Sequence, residues 1–214
     1  DIFLKILFEN DELFIGFVYG GNSSKKKSIF QIGNFLEFST TKKNINSPFI
    51  ITGEISKPYI YNIINDKYKS FALLSIVSLI NISILEGQKI FGIYSYLYIL
   101  INNINENKKW IILYCEWLFK LLQIIGYEID YKKNQLNRYF DITKQDFVNT
   151  PTKNSLEFPH DLFKNKNSIS FKNINTIFII FESIFSKNHL QNINYKMPIN
   201  FINFKTNILK NLKK

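Results

Sequence analysis

Between Ile2 and Ile55 apolar and polar residues alternate in short runs, FLKILF, LFIGFVYGG, IFQIGNFLEF and PFIITGEI, separated by the turn ENDE and by two lysine-rich loops. A period of two bounded by turn residues predicts short strands, and strands at this spacing predict a small barrel or sheet. After Pro58 the spacing lengthens, and helices are predicted over roughly 59–85, 89–104, 108–126 and 174–188. The change of character places a domain boundary near Ser56 to Tyr59, giving domains 1–58 and 59–214. Residues 131–173 are rich in Lys and Asn and broken by Pro151 and Pro159, so they read as a loop-rich insertion. The tail from Gln191 to Lys214 holds Met197-Pro198 and an amphipathic last turn or two, ending in Lys205, Lys210, Lys213 and Lys214. The class is therefore α+β.

The run WIILYCEWLFKLLQIIGYEID, Trp110 to Asp130, is nearly all apolar. Its polar positions Lys109, Glu116, Lys120, Gln123 and Glu128 trace one narrow stripe on a helix, so the rest of the surface is expected to be buried. Glu116 and Lys120 stand at i and i+4 in the favourable order, and Gly126 is where a left-handed stop is expected.

At 46% hydrophobic and 16% aromatic residues, 214 residues suffice for a full core, which excludes disorder throughout. The formal charge of +10 invites a polyanionic partner, but Arg138 is the only arginine, and a lysine-rich composition raises charge without selection for a ligand. Distribution is more telling: residues 1–58 carry seven Lys against six acids, residues 59–129 six against five, and residues 130–214 fourteen Lys or Arg against six. The lone Cys115 falls in the apolar helix, where core packing is expected; it can form neither an internal disulfide nor a zinc site. Nothing resembles a signal peptide, and a basic chain without disulfide chemistry fits a reducing cytoplasm. Ser70 to Leu85 and Ile90 to Asn105 are uncharged, but each is short for a membrane span of about 20 residues. The first residue is Asp1, so the start is expected to be missing.

The order of residues at the helix exit, Glu116, Leu118, Leu121, Leu122, Gly126, Tyr127 and Asp130, resembles the RecO-type recombination mediators, with Asn134 at a position where that family has a cysteine. Further partial likenesses follow in order along the chain. Residues 1–26 are similar to the second and third strands of the family's N-terminal OB-fold and the basic loop after them, and Gln31, Gly33, Asn34 and Glu37 match the next segment. Ile84-Leu85-Glu86 stands before a helix, Phe147, Val148 and Pro151 to Ser155 resemble a late turn, and Phe181 to Pro198 resembles the closing helix. The resemblance implies an OB-like module, one strand short of five because its first strand is absent, followed by a helical domain. The arginines of the family's basic segments are gone, and with no Cys in the insertion a zinc ribbon there is expected to be held by packing or loosely ordered.

Lys25, Lys26 and Lys27 follow a Gly-, Asn- and Ser-rich loop, and Lys42 and Lys43 occupy the next loop. Such loops on one rim of a barrel form a backbone-tracking groove for nucleic acid, or equally are solvated hairpin tips. The resemblance favours DNA-binding, with these five lysines holding phosphates as point charges and reading no sequence. Phe17, Tyr19, Phe30 and Phe38 lie nearby and offer rings on which bases could stack, but their alternation with polar residues assigns most of them to the core. Lys132 and Lys133 and the basic tail extend the same electrostatic surface, although the tail reads more simply as a solvated face.

His160 and His189 have no ligand at metal spacing, so surface or capping roles are expected and neither metal nor cofactor. No nucleophile elbow, phosphate loop, HExxH or acid pair is present, and an enzyme is not expected. The resemblance implies a non-enzymatic DNA repair and recombination mediator, cytoplasmic and nucleoid-associated, monomeric alone. It implies binding to single- and double-stranded DNA, strand annealing and, with RecR, loading of RecA onto DNA covered by single-strand-binding protein. A protein-interaction scaffold docking RecR or the acidic tail of single-strand-binding protein is the alternative, and a membrane hairpin a remote one.

Overall fold

In the computed structural model, strands β1 (Ile2–Leu7) and β2 (Leu13–Val18) form an antiparallel hairpin in which Phe3 faces Phe17 and Ile6 faces Phe14. The structure describes residues 1–213 apart from 46, 58–59, 86, 107 and 165–168. A short helix α1 (Ser24–Ile29) leads to β3 (Phe35–Thr41) and β4 (Ile50–Lys57), and the sheet order is β1-β2-β4-β3. The β2–β4 pair is parallel, Phe17 against Ile50, and the other two pairs are antiparallel. Gly16 lets these strands approach, since a Cβ there would lie 2.7 Å from the Ile51 side chain.

Register divides the sheet into two faces. Ile6, Phe14, Val18, Phe38 and Ile51 share one of them, with Val18 and Ile51 buried. The sheet curls until Phe8, just past β1, stacks on Phe38 of β3 at 5.0 Å, which draws the two edge strands toward each other. The expected barrel is nevertheless not closed: among the described residues β1 and β3 are both edges, and closure requires a strand paired to each.

Helices α2 (Tyr61–Ile64), α3 (Lys67–Ser83) and α4 (Ile93–Glu106) complete a first compact unit, Asp1–Asn105. The expected strand-to-helix change falls inside this unit, and Pro58 and Tyr59 at its centre lie outside the described residues, as does Glu86. Asp66 caps α3 by accepting from the N–H groups of Tyr68 and Lys69 at 2.8 and 3.1 Å. The two uncharged stretches are helices α3 and α4, and among the described residues no helix is long and apolar enough to cross a membrane.

The second unit, Glu106–Lys214, is built on α5 (Trp110–Ile124). Ten of its side chains are buried, as the narrow polar stripe requires, and Lys120 donates to Gln123 while Gln123 donates to Glu128. Gly126, at φ 94°, ends the helix: its N–H donates to Gln123 O at 3.1 Å and that of Tyr127 to Leu122 O at 2.7 Å, the paired bonds of a Schellman stop. Beyond it, strands β5 (Tyr139–Asp141), β6 (Asp146–Val148) and β7 (Ser155–Glu157) form an antiparallel sheet in the order β6-β5-β7, so the insertion is more regular than the loop expected. Helix α6 (His160–Lys164) follows. Helix α7 (Phe171–Ile184) runs into a π-helical turn, Phe185–Leu190, and α8 (Ile199–Leu212) makes the tail a fourteen-residue helix rather than a last turn or two. Lys214 lies outside the described residues. Tyr114, Phe178, Phe201 and Phe204 are fully buried where α5, α7 and α8 meet, with Tyr114 and Phe204 rings 4.5 Å apart.

Candidate nucleic-acid interface

Lys25, Lys26 and Lys27 sit on α1, not on a flexible loop. Six residues without an apolar period make a weak helix, but Lys26 and Lys27 fall in its last turn, where cations favour the carbonyl end. Lys26 is the anchored one: its Nζ donates to the carbonyl oxygen of Tyr19 at 2.6 Å. Lys25 and Lys27 are exposed and point their charge to solvent.

Lys42 and Lys43 follow β3. The Lys42 ammonium lies 4.1 Å above the Phe49 ring, and that of Lys43 lies 5.6 Å from the Tyr19 ring centre. Cations over aromatic faces are held by the ring quadrupole, which fixes the direction of two otherwise mobile side chains. Tyr19 is thus where the two lysine segments meet, touched by Lys26 through its carbonyl and by Lys43 through its ring.

The aromatic residues divide differently from the sequence expectation. Phe38 is turned inward against Phe8, and Phe30 is half-buried. Phe17 lies on the opposite face of β2 and packs on Phe3 at 3.7 Å, and Tyr19 follows in the turn after β2. Phe3, which no sequence motif singled out, is 66% exposed and Tyr19 48%. The signal for Phe3 lay in its parity with Lys5, since side chains two apart on a strand share a face.

Around the position where the resemblance places a cysteine, amides do the holding. The Asn134 side chain donates to Asp130 O at 2.9 Å and accepts from Asn137 at 2.9 Å, and His160 Nε2 meets Asn137 O at 2.9 Å. His160 opens α6, half-buried against the Phe147 and Phe158 rings, where a surface or capping role was expected. Among the described residues no three His, Cys, Asp or Glu side chains come together to hold a metal ion. Cys115 is buried, and burial pushes its thiol well above the ordinary range, which leaves it inert.

Asp141 organises the small sheet. One carboxylate oxygen accepts from Thr152 Oγ1 at 2.6 Å, and the other from the N–H groups of Thr143 and Lys144 at 2.9 and 3.0 Å. The Thr152 hydroxyl, then the Lys144 amide, hold its carboxyl below the usual carboxylate value. A lowered folded pKa stabilises above the unfolded value, near 3.8, and that contribution is lost as pH falls through the folded pKa. Acid titration below about pH 4 is therefore expected to loosen β5–β7 in the native protein and much less so in Asp141→Asn, read from the amide NMR signals of Phe140 and Phe147. Identical titrations would rule out this role.

The family model described as "Recombination protein O C terminal" matches residues 65–134, which hold α3, α4, α5 and the exit as far as Asn134. A protein named "DNA repair protein RecO" from Rickettsia canadensis (strain McKiel) is 29% identical over 130 residues, covering 61% of this chain and 53% of that protein. The chain thus spans about half the length of the curated relative it matches. No solved structure matches. The lysine-bearing sheet lies outside the residues matched by the family model, and the match rests on the helices. With those helices and their Gly126 exit matched, and with a RecO aligned over more than half of this chain, the chain is similar to the RecO-type family.

Proposed function

We propose that this protein is a non-enzymatic DNA repair and recombination mediator that binds single- and double-stranded DNA through Lys25, Lys26, Lys27, Lys42 and Lys43. The observation that carries the reading is the convergence of Lys26 and Lys43 on Tyr19, which turns two separate lysine segments into one basic rim. The curled four-stranded sheet supports an OB-like module one strand short of five. A rim of point charges neutralises phosphates and leaves bases free, which is what annealing of complementary strands requires. With RecR such a protein would place RecA on strands covered by single-strand-binding protein, in the cytoplasm at the nucleoid.

Changing Lys25, Lys26 and Lys27 together to Ala is expected to weaken binding to DNA and to flatten its salt dependence, by about 0.7 in the log-log slope for each phosphate no longer neutralised on a single strand. Fluorescence anisotropy at several salt concentrations measures both, and unchanged titrations would remove α1 from the site.

A second reading is favoured by one surface. Tyr195, Ile199 and Ile202 are exposed on and before α8, with the exposed Lys196 next to Tyr195 in sequence and Lys210 exposed further along the helix. An apolar stripe among lysines suits an acidic peptide with apolar side chains, such as the tail of single-strand-binding protein. Binding of that peptide without binding of DNA would favour the scaffold.

A further inference from the structure

We propose that helix α4 of one copy of this chain docks on helix α8 of a second copy, apolar stripe against apolar stripe, with acids at the ends of α4 meeting lysines at the ends of α8. The inference does not rest on DNA binding, and it makes the chain self-associating where the resemblance implies a monomer.

Helix α4 buries Ile93, Leu100, Ile101 and Ile104 and leaves Tyr96 and Ile99 exposed on a different side. Asn103 and Glu106 continue that side, since residues three and four apart share a helix face. Phe91, just before the helix, is 81% exposed, and the Tyr96 ring lies over Gly92 beside it, 3.4 Å from where a Cβ would stand. Phe91, Tyr96 and Ile99 therefore form one apolar row that the core does not use.

Helix α8 carries a matching row. It buries Phe201, Phe204, Ile208 and Leu209 and turns Ile199, Ile202, Thr206 and Lys210 outward, with the exposed Tyr195 before it as Phe91 stands before α4. Set parallel, the two helices bring Tyr96 and Ile99 against Ile199 and Ile202, Asn103 against Thr206, and Glu106 against Lys210. Single apolar side chains on a surface are ordinary, whereas two rows that agree in spacing and end in opposite charges mark a contact.

Charge favours the same alignment at the other end. Glu9 and Glu12 are exposed in the β1–β2 turn beside the start of α4: the Tyr94 hydroxyl donates to Glu9 Oε1 at 3.4 Å, and Glu12 bridges to Lys89. In the parallel arrangement they meet Lys196, which precedes α8. The opposing charges are Lys89, 5.6 Å from the Phe91 ring centre, and Lys108 and Lys109 beyond Glu106. Charge thus sets the direction of the helices, and apolar burial supplies the strength.

The two faces differ, so the contact is heterologous, and it grows with concentration unless two copies close a ring by exchanging both contacts. Sedimentation velocity of the full chain without DNA tests it. The weight-average mass is expected to rise reversibly above that of the monomer. Ile99→Asp and Ile202→Asp are each expected to weaken association by about tenfold or more, and an equimolar mixture of the two forms a heterodimer, because one chain keeps α8 and the other α4. Glu106→Lys weakens association, and Lys210→Glu added to the same chain restores it, as the parallel pairing requires. Both isoleucines are exposed, and circular dichroism checks that each variant is folded.

A monomer at every concentration would overturn the proposal, and so would association that neither substitution touches. Loss in only one of the two variants would mean a contact between like faces, and a mixture that stays monomeric would mean that α4 and α8 do not meet; either overturns it.

Discussion

Replacing Phe178 with alanine is expected to lower the stability of this protein by about 3–5 kcal/mol, the range for removing a fully buried aromatic ring. Phe178 has no exposed surface, and its ring lies 5.8 Å from Phe201, 6.0 Å from Phe204 and 6.4 Å from Tyr114. These rings and Phe178 sit on three different helices with fixed backbones. The space therefore cannot close without moving a helix, and the cavity term adds to the lost transfer energy. Both tryptophans, Trp110 and Trp117, lie buried on α5, so urea unfolding followed by their fluorescence reports on this core directly. Phe178→Leu keeps most of the volume and is expected to cost clearly less. A loss below about 1 kcal/mol in Phe178→Ala would mean that the three helices do not meet at this ring.

That core was the most legible part of the sequence, because a helix buried on nearly all sides leaves a single polar stripe. The stripe through Lys109, Glu116, Lys120 and Gln123 predicted the buried face of α5, and the Gly126 stop followed from the need for positive φ. Strands β1, β2 and β4 were legible from alternation. Other elements were hidden for identifiable reasons. Helix α1 is too short to show a period, and Ser-Lys-Lys-Lys-Ser reads as a loop. Strands β5, β6 and β7 have three residues each, too few for alternation to stand out from a Lys- and Asn-rich background, and their order rests on Asp141 bonding to residues up to eleven positions away.

The candidate interface was legible as residues but not as geometry. Alternation says which side chains share a face of a strand and leaves open which face the core takes. Phe17 and Phe38 both alternate with polar residues, yet register turns one outward and the other inward. The meeting of Lys26 and Lys43 at Tyr19 joins positions far apart in sequence through a backbone carbonyl and a ring face, neither of which has a sequence signature. The family likeness runs through α5 and its exit, and it carried no information on the direction of any aromatic ring.

Asp11→Ala is expected to destabilise the first unit by about 2 kcal/mol, an effect as large as the strongest helix caps, although the residue sits in a hairpin turn. Its carboxylate accepts from Gly92 N at 2.7 Å and Tyr94 N at 2.9 Å, and its carbonyl accepts from Ile90 N at 3.3 Å, so the β1–β2 turn caps the start of α4 across more than eighty residues. Loss of the carboxylate strands two part-buried donors at the positive end of a helix. Asp11 also holds φ 69°, a conformation that Asp and Asn tolerate and alanine does not. The two contributions separate by substitution. Asp11→Asn keeps one acceptor oxygen and the tolerated backbone, and is expected to cost least. Asp11→Gly loses the acceptors but relieves the backbone, and so falls between, about 1 kcal/mol better than Asp11→Ala. Thermal unfolding of the three variants measures the order. If Gly proved no better than Ala, the positive φ would carry no cost; if Asn proved no better than Gly, the carboxylate cap would contribute nothing, and α4 would have to owe its start to packing alone.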